Sequence, residues 1–254
     1  MKRSPDRPAV CARRRTLAGA IFDVDGVLVA SPHEQAWREA LTGYADPARF
    51  TTAFYQAHVA GKPRLDGARA ALEGLGVAAA AARAPEYARK KQALIDRLIA
   101  AGSFAAFPDA VRCAAGLHTA GLRLALASSS KNVAAMLRRL SLPDGRPLLS
   151  IFAADLSGTD VPRGKPDPAL FLLAAQALQV PPAECVVVED APAGIAAARA
   201  AGMASVGIAR LGDEAMLQAA GTDLVVTSLD RVDTAAVPNG IVRTRPVTET
   251  QAHA

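Results

Sequence analysis

The sequence lacks any apolar run of the roughly twenty residues that a bilayer-spanning helix takes. Between Met1-Lys2-Arg3-Ser4 and Arg13-Arg14-Arg15 there is also no apolar stretch that could form the core of an export signal. These absences lead to the expectation of a cytoplasmic protein with no membrane partner. Cysteine is scarce: Cys11, Cys113 and Cys185 are far apart and form no Cys-x-x-Cys pair. That argues for reduced thiols and offers no good nucleophile. Aromatic residues make up only 4% of the chain, yet 51% of its 254 residues are hydrophobic, ample for one large core or a core with a smaller domain. No internal repeat is present.

The net charge of +5 invites a nucleic-acid reading until the charge is located. Residues 1–16 hold six Lys or Arg and one Asp, which leaves 23 basic and 23 acidic residues in the rest of the chain. The excess therefore belongs to a basic N-terminal tail, read as solvated and disordered, with a nucleic-acid partner the disfavoured alternative.

What the chain does have begins at Ala20-Ile21-Phe22-Asp23-Val24-Asp25-Gly26. Leu17 to Phe22 reads as a short buried strand, and Gly26 supplies the permissive backbone of a sharp exit. Asp23 and Asp25, two residues apart, would share a face at the carboxyl end of that strand, where open α/β sheets bind ligands. Such a pair can hold a divalent cation or divide the roles of nucleophile and acid/base. A surface Asp-Gly hairpin turn is the alternative for this stretch alone.

From Ser31 to Phe104 the pattern is helical. His33, Trp37 and Leu41 mark one face of a first helix, and further helices fit residues 48–60, 64–75 and 85–101. This reads as a small all-helical cap over 32–104, inserted after the first strand. Beyond it strands and helices alternate: a strand over 122–127, a helix over 131–140, a helix opened by Asp167-Pro168, and a fully apolar strand from Cys185 to Val188. A helix from Pro192 and strands at 204–209 and 223–227 follow. The expected fold is α/β, a doubly wound parallel sheet whose core comprises 17–31 and 105–230. Residues 231–254 lack periodicity and are expected to form a flexible tail.

Three further strand-end or loop stretches join the aspartates. Ser128-Ser129-Ser130-Lys131-Asn132 runs from a strand into a helix, as a phosphate site or as simple capping by Ser130. Arg163-Gly164-Lys165-Pro166 holds one lysine between Gly and Pro, able to neutralise an anion or merely solvated. Glu189-Asp190 ends the apolar strand, where uncompensated charge is costly, so a cation or a helix-capping role for Asp190 would account for it.

Taken in order, Asp-x-Asp-Gly, Ser, Gly-Lys-Pro and Glu-Asp resemble the four motifs of the haloacid dehalogenase superfamily. The resemblance runs from about Leu17 to Leu229 and is closest to the β-phosphoglucomutase-like branch, which carries a helical cap at this position. It implies that Asp23 is the nucleophile that forms an aspartyl phosphate, and that Asp25 is the acid/base. Ser128, Ser129 and Lys165 would hold the phosphoryl group, and Mg²⁺ would bind Asp23, the Asp25 carbonyl, Glu189 and Asp190. The same resemblance makes His33, Trp37, Arg64, Lys91, Ser130 and Asn132 cap or substrate residues, with Arg64 meeting a distal phosphate; spacing does not separate Lys90 from Lys91. Ala30 at the hinge, a link from Asp25 to His33 two residues shorter than in the mutases, and Gly67 in place of a serine depart from the mutase pattern. The implied activity is Mg²⁺-dependent hydrolysis of a small phosphorylated metabolite, a sugar phosphate, with β-phosphoglucomutase as the alternative. A dehalogenase would not need Asp25. Oligomeric state and the identity of the substrate stay open.

Overall fold

The computed structural model describes residues 16–245, so the basic tail, apart from Thr16, and residues 246–254 lie outside the described residues. After β1 (Gly19–Phe22) the chain makes β2 (Val29–Ala30), α1 (His33–Ala40), α2 (Thr52–His58), α3 (Arg64–Gly74) and α4 (Ala80–Ala100), and returns through β3 (Ala105–Ala106). Helices and strands then alternate: α5 (Pro108–Thr119), β4 (Arg123–Leu126), α6 (Val133–Leu137), β5 (Ala154–Asp155), α7 (Ala169–Leu178) and β6 (Cys185–Glu189). The order closes with α8 (Pro192–Ala200), β7 (Ala204–Ile208), α9 (Glu214–Ala219) and β8 (Leu224–Val226).

Six of these strands form one sheet in the order β5-β4-β1-β6-β7-β8, with every pairing parallel. Both faces of its centre are buried, and the side-chain period of two sorts residues between them. Ala20, Phe22, Leu124, Leu126, Val186 and Val188 enter one apolar cluster, which also holds Val111 and Leu117 of α5. Ile21, Ala125, Cys185 and Val187 face the opposite one, with Leu170, Phe171 and Leu178 of α7. The expected doubly wound α/β sheet is therefore present, and both Cys113 and Cys185 are buried free thiols.

The cap has an apolar cluster of its own, built from Trp37, Leu41, Phe50, Leu72 and Tyr87. It joins the core through the antiparallel ribbon of β2 and β3, where Val29 pairs with Ala106 and Ala30 with Ala105. Ile95 and Ile99 of α4 reach back to the sheet's cluster. This last helix starts at Ala80 rather than Pro85, because a proline within a helix reads as a start signal when alanines precede it.

Two other expectations need correction. The helix expected over 131–140 is only Val133–Leu137. The stretch from 231 is no loose tail over its described part: Val232 and Val237 are 2% and 1% exposed, and the Pro238 carbonyl accepts the Leu17 N–H at 3.2 Å. Isolated valines in an irregular segment carry no period, so packing of this kind leaves no pattern to read.

Deleting residues 231–254 should therefore destabilise the protein by several kcal/mol, since each buried valine contributes about 1.5–3 kcal/mol. Urea unfolding checks this, and an unchanged midpoint would restore the loose tail.

Candidate active site

The strand order reverses at β1, which opens a crevice at the carboxyl ends of β1, β4 and β6. Asp23 donates its N–H to the Val188 carbonyl at 3.0 Å, and Ala127 donates to the Phe22 carbonyl at 2.9 Å. Asp23, Ala127 and Glu189 thus stand side by side one residue beyond the last paired row. The chain then folds into a tight turn in which Leu28 and Val29 both donate to the Val24 carbonyl at 2.9 Å. Gly26, at φ +86°, lies on this turn, and a Cβ there would overlap the Asp190 carboxylate. The stretch is no surface hairpin: Asp23 is 5% exposed.

Lys165 organises the floor of the crevice. Its Nζ lies 2.6 Å from Asp23 Oδ1 and 2.6 Å from Glu189 Oε1, and donates to the Ala127 carbonyl at 3.4 Å, with no side-chain exposure. Burial opposes its charge, but the two carboxylates hold its pKa above the ordinary lysine value. Burial also raises Asp23 to about 7, with Lys165 pulling it down and Glu189 and Asp25 pushing it up.

Glu189 is fully engaged. One oxygen meets Lys165, and the other accepts the N–H groups of Asp190 and Ala191, both at 2.8 Å. In this arrangement Glu189 is the counter-charge of Lys165 and holds the turn into α8, while Asp190 is the freer of the two acids expected at a metal. The capping role considered for Asp190 goes to Glu189, since Ala191 is the N-cap residue and makes no side-chain cap.

Among the described residues, neither the Asp190 carboxylate nor Asp23 Oδ2 accepts a hydrogen bond. Burial, then Glu189 and Asp23, push Asp190 well above the carboxylate range. Asp23, Glu189 and Asp190 thus gather around the one ammonium of Lys165, with Asp25 beside them, an imbalance that a divalent cation would offset. No three His, Cys, Asp or Glu side chains among the described residues gather into a ready metal cage. A donor set of Asp23, Asp190 and a backbone carbonyl does not require one, and its hard oxygens suit Mg²⁺.

The cap supplies the opposite wall. Lys91 Nζ lies 2.7 Å from His33 Nδ1, and His33 Nε2 lies 3.4 Å from Asp25 Oδ1 and 3.3 Å from Ser130 Oγ. When Lys91 is an ammonium it has no lone pair, so Nδ1 then accepts and Nε2 carries the ring proton beside Ser130 Oγ, while Asp25 Oδ1 has no hydrogen-bond partner among the described residues. Burial lowers His33 to about 4, Asp25 opposing and Lys91 and Arg64 assisting, so the imidazole is neutral. Burial likewise lowers Lys91 to about 7, against Asp25 and with Arg64. Of the two lysines, Lys91 lines the cleft, whereas Lys90 turns outward to the Thr42 carbonyl. Trp37 is 4% exposed and packs in the cap cluster, with Lys91 Nζ 5.0 Å from its ring centroid.

Ser128 donates to Asp25 Oδ2 at 3.3 Å and accepts the Ser130 N–H at 3.1 Å. The Ser129 hydroxyl, expected at the phosphate, turns instead to the Gly61 carbonyl of the cap at 3.4 Å. Asn132 accepts from Gln92 of α4 at 2.9 Å, another contact between core and cap. Arg64, at the start of α3, lines the resulting cleft of about 510 Å³ together with Asp23, Asp25, Ser128 and Asp190. Tyr55 and Arg89 line it too, although neither was singled out from the sequence. Both lie on cap helices whose polar positions carry no mark of which way they face.

A carboxyl whose pKa is raised on folding contributes stability below its unfolded value and loses it as pH rises through the folded one. For Asp23 that window runs from 3.8 to about 7. In chelator, the melting temperature of Asp23→Asn, whatever its offset from the loss of a Lys165 partner, should therefore gain on that of the unsubstituted protein as pH rises across this window. A difference in melting temperature that does not grow with pH would contradict the buried-carboxylate environment.

With this geometry in place, the chain can be compared with known proteins. Residues 17–202 match the family of haloacid dehalogenase-like hydrolases. Hexitol phosphatase A of Escherichia coli (strain K12) is 33% identical over 226 residues, spanning 88% of this chain and 97% of that protein. The β-phosphoglucomutase of Bacillus subtilis (strain 168) is 42% identical over 119 residues, 47% of this chain and 48% of that protein. The crystal structure of a β-phosphoglucomutase from Pyrococcus sp. strain ST 04 superposes with a TM-score of 0.66 at 30% identity, covering 84% of this chain and 93% of that one. The strand-end acids, the buried lysine and the inserted helical cap thus fall within a shared architecture, and the chain belongs to the haloacid dehalogenase-like hydrolases, in their β-phosphoglucomutase-like branch.

Proposed function

We propose that the protein is a Mg²⁺-dependent phosphohydrolase that acts on a small sugar phosphate through an aspartyl-phosphate intermediate. The observation that carries this reading is Asp23 at the end of β1, fixed by Lys165 at 2.6 Å, with Asp25 and Ser128 beside it under the cap. In the first half-reaction an Asp23 oxygen attacks phosphorus, the bond to the sugar oxygen breaks, and Asp25 gives that oxygen its proton. In the second, Asp25 takes a proton from water as the water oxygen attacks phosphorus, releasing phosphate and restoring Asp23. Ser128 would hold a phosphoryl oxygen, and Lys165, bound to Asp23 beneath it, supplies the positive charge that the phosphoryl group meets. Mg²⁺, held by Asp23, the Asp25 carbonyl and Asp190, would neutralise charge building up on those oxygens. Neutral His33, held by Lys91, stands with Nε2 3.4 Å from Asp25, close enough to steady that carboxyl between the two steps.

Two relatives are named as phosphatases of phosphorylated sugars or sugar alcohols, hexitol phosphatase A and fructose-1-phosphate phosphatase YqaB, both of Escherichia coli (strain K12). Arg64 and Lys91 at the cleft supply positive charge for a second anionic group on the substrate. A β-phosphoglucomutase is the second reading, favoured by the chain from Lys91 through His33 to Asp25. Gly67 weighs against it: its bare face packs on Val59 and Trp37, so the cap lacks the hydroxyl expected there for a distal phosphate. Hydrolysis needs only one phosphate site. The buried free thiols Cys113 and Cys185 fit a cytoplasmic setting.

Incubation with Mg²⁺ and a panel of hexose and pentose phosphates, following free phosphate and sugar-phosphate isomers together, tests the reading. Free phosphate without isomer supports hydrolysis, isomer without phosphate supports the mutase, and neither overturns both. On the best substrate, Arg64→Ala should lower kcat/KM by about 10- to 150-fold, the loss of a charge-assisted contact. A small phosphate ester with a neutral tail should be turned over nearly as before, and equal losses on both would make Arg64 structural.

A further inference from the structure

Arg210, just beyond β7, is absent from the four motifs, yet its guanidinium touches the turn that carries Asp25. Its Nε donates to the Gly26 carbonyl at 3.0 Å and its Nη2 to the Val27 carbonyl at 3.1 Å. Nη1 and Nη2 also reach the two oxygens of Asp109 at 3.2 and 3.1 Å, a bidentate pair. The guanidinium carbon lies 3.7 Å from the centroid of the Phe107 ring. Asp109 is itself anchored, accepting the Leu229 N–H at 2.8 Å and the Ser228 hydroxyl at 3.2 Å.

Three pieces of chain meet at this side chain. The first is the turn from Asp25 to Leu28. The second is the segment by which the cap returns to the core, since Phe107 follows β3 directly and donates its N–H to the Leu28 carbonyl at 2.9 Å. The third is the loop after β8, reached through Asp109. Four directed bonds, two to carbonyls and a bidentate pair to one carboxylate, take a planar fork; a lysine ammonium has only three N–H groups on one atom. The side chain is 15% exposed, so its hydrogen bonds are largely shielded from competing water.

We infer that Arg210 is a positioning residue for Asp25, fixing the turn behind the acid/base carboxylate and tying that turn to the returning strand of the cap. Arg210 touches no substrate. Its contribution is to keep Asp25 within reach of the leaving oxygen, a placement in which an error of about 1 Å is enough to lower a rate by about 100-fold. The inference rests on the reading of Asp25 as the acid, and the experiment separates the two.

The experiment uses the full chain with Mg²⁺ and compares a sugar phosphate, whose leaving oxygen needs a proton, with p-nitrophenyl phosphate, whose leaving group does not. Arg210→Met should lower kcat on the sugar phosphate by about 10- to 100-fold while changing p-nitrophenyl phosphate turnover far less. Arg210→Lys should recover little of the loss, because it restores the charge and not the fork. Asp109→Asn should show the same selectivity more weakly, and it carries the comparison if Arg210→Met does not fold. Hydrogen exchange gives a second readout: amides of Gly26, Leu28 and Val29 should exchange faster in these variants. Equal losses on both substrates, or unchanged exchange in the turn, overturn the role of Arg210. Asp25→Asn serves as control: if it shows no selectivity between the substrates, the acid reading falls, while the exchange result still decides whether Arg210 holds the turn.

Discussion

The ammonium of Lys165, buried between Asp23 and Glu189, is the interaction on which the rest of the site depends. Removing one partner of such a buried group typically costs about 3–5 kcal/mol, because the remaining charge is left without compensation. Each partner arrives from a different part of the chain: Asp23 from β1, Glu189 from β6, and Lys165 from the loop before α7. The ion pairs therefore record the sheet's register. They can form only when β1 lies between β4 and β6 and the Gly164-Lys165-Pro166 loop folds over the strand ends. The same contacts leave one Asp23 oxygen unengaged, so the device that fixes the nucleophile also leaves it an atom to react with.

Core and cap divide the chemistry. The core holds the groups that any phosphate ester would meet, and it packs them into a sheet whose two faces are both buried. The cap holds His33, Arg64 and Lys91, the groups that see the rest of a substrate or regulate Asp25. Contact between the two is close. A Cβ on Gly164 would overlap Pro63 at the tip of the cap, so the loop carrying Lys165 also serves as the landing surface for the cap. Charge is arranged along the same boundary, with carboxylates on the core side facing basic residues on the cap side across the cleft.

Five of the sheet's six strands, most of its helices and the four motifs were legible in the sequence because each leaves a local mark; the two residues of β5 are too few to leave one. Ile21, Leu124 and Val187 lie in apolar runs, and Asp23, Ser128, Lys165 and Glu189 follow runs or rigid turns at fixed offsets. The division of labour among the acids was not legible. Glu189 and Asp190 are neighbours of the same charge, and only the hydrogen bonds from Asp190 and Ala191 show that Glu189 faces inward to Lys165. The serines were undivided for a similar reason: three successive serines look alike and all line the cleft, while strand direction and the position of the cap decide which hydroxyl meets Asp25. Arg210 and Asp109 lie 101 residues apart and carry no spacing that links them. The packed segment around Val237 escaped notice because a single buried turn has no period.

The two-residue strands β2 and β3 have a consequence for how such a protein changes over evolutionary time. The chain leaves the core at Ala30 and re-enters at Ala105, and these two residues are paired in the same ribbon. An insertion whose ends already touch imposes little strain on the sheet, provided that it keeps the apolar contacts that Ile95 and Ile99 make with the core. The intervening helices are therefore a replaceable module. Their cleft-facing side chains can be redrawn to fit a different metabolite while β1, β4 and β6 keep the reacting groups where they are, and a lineage can change what it recognises without rebuilding how it reacts.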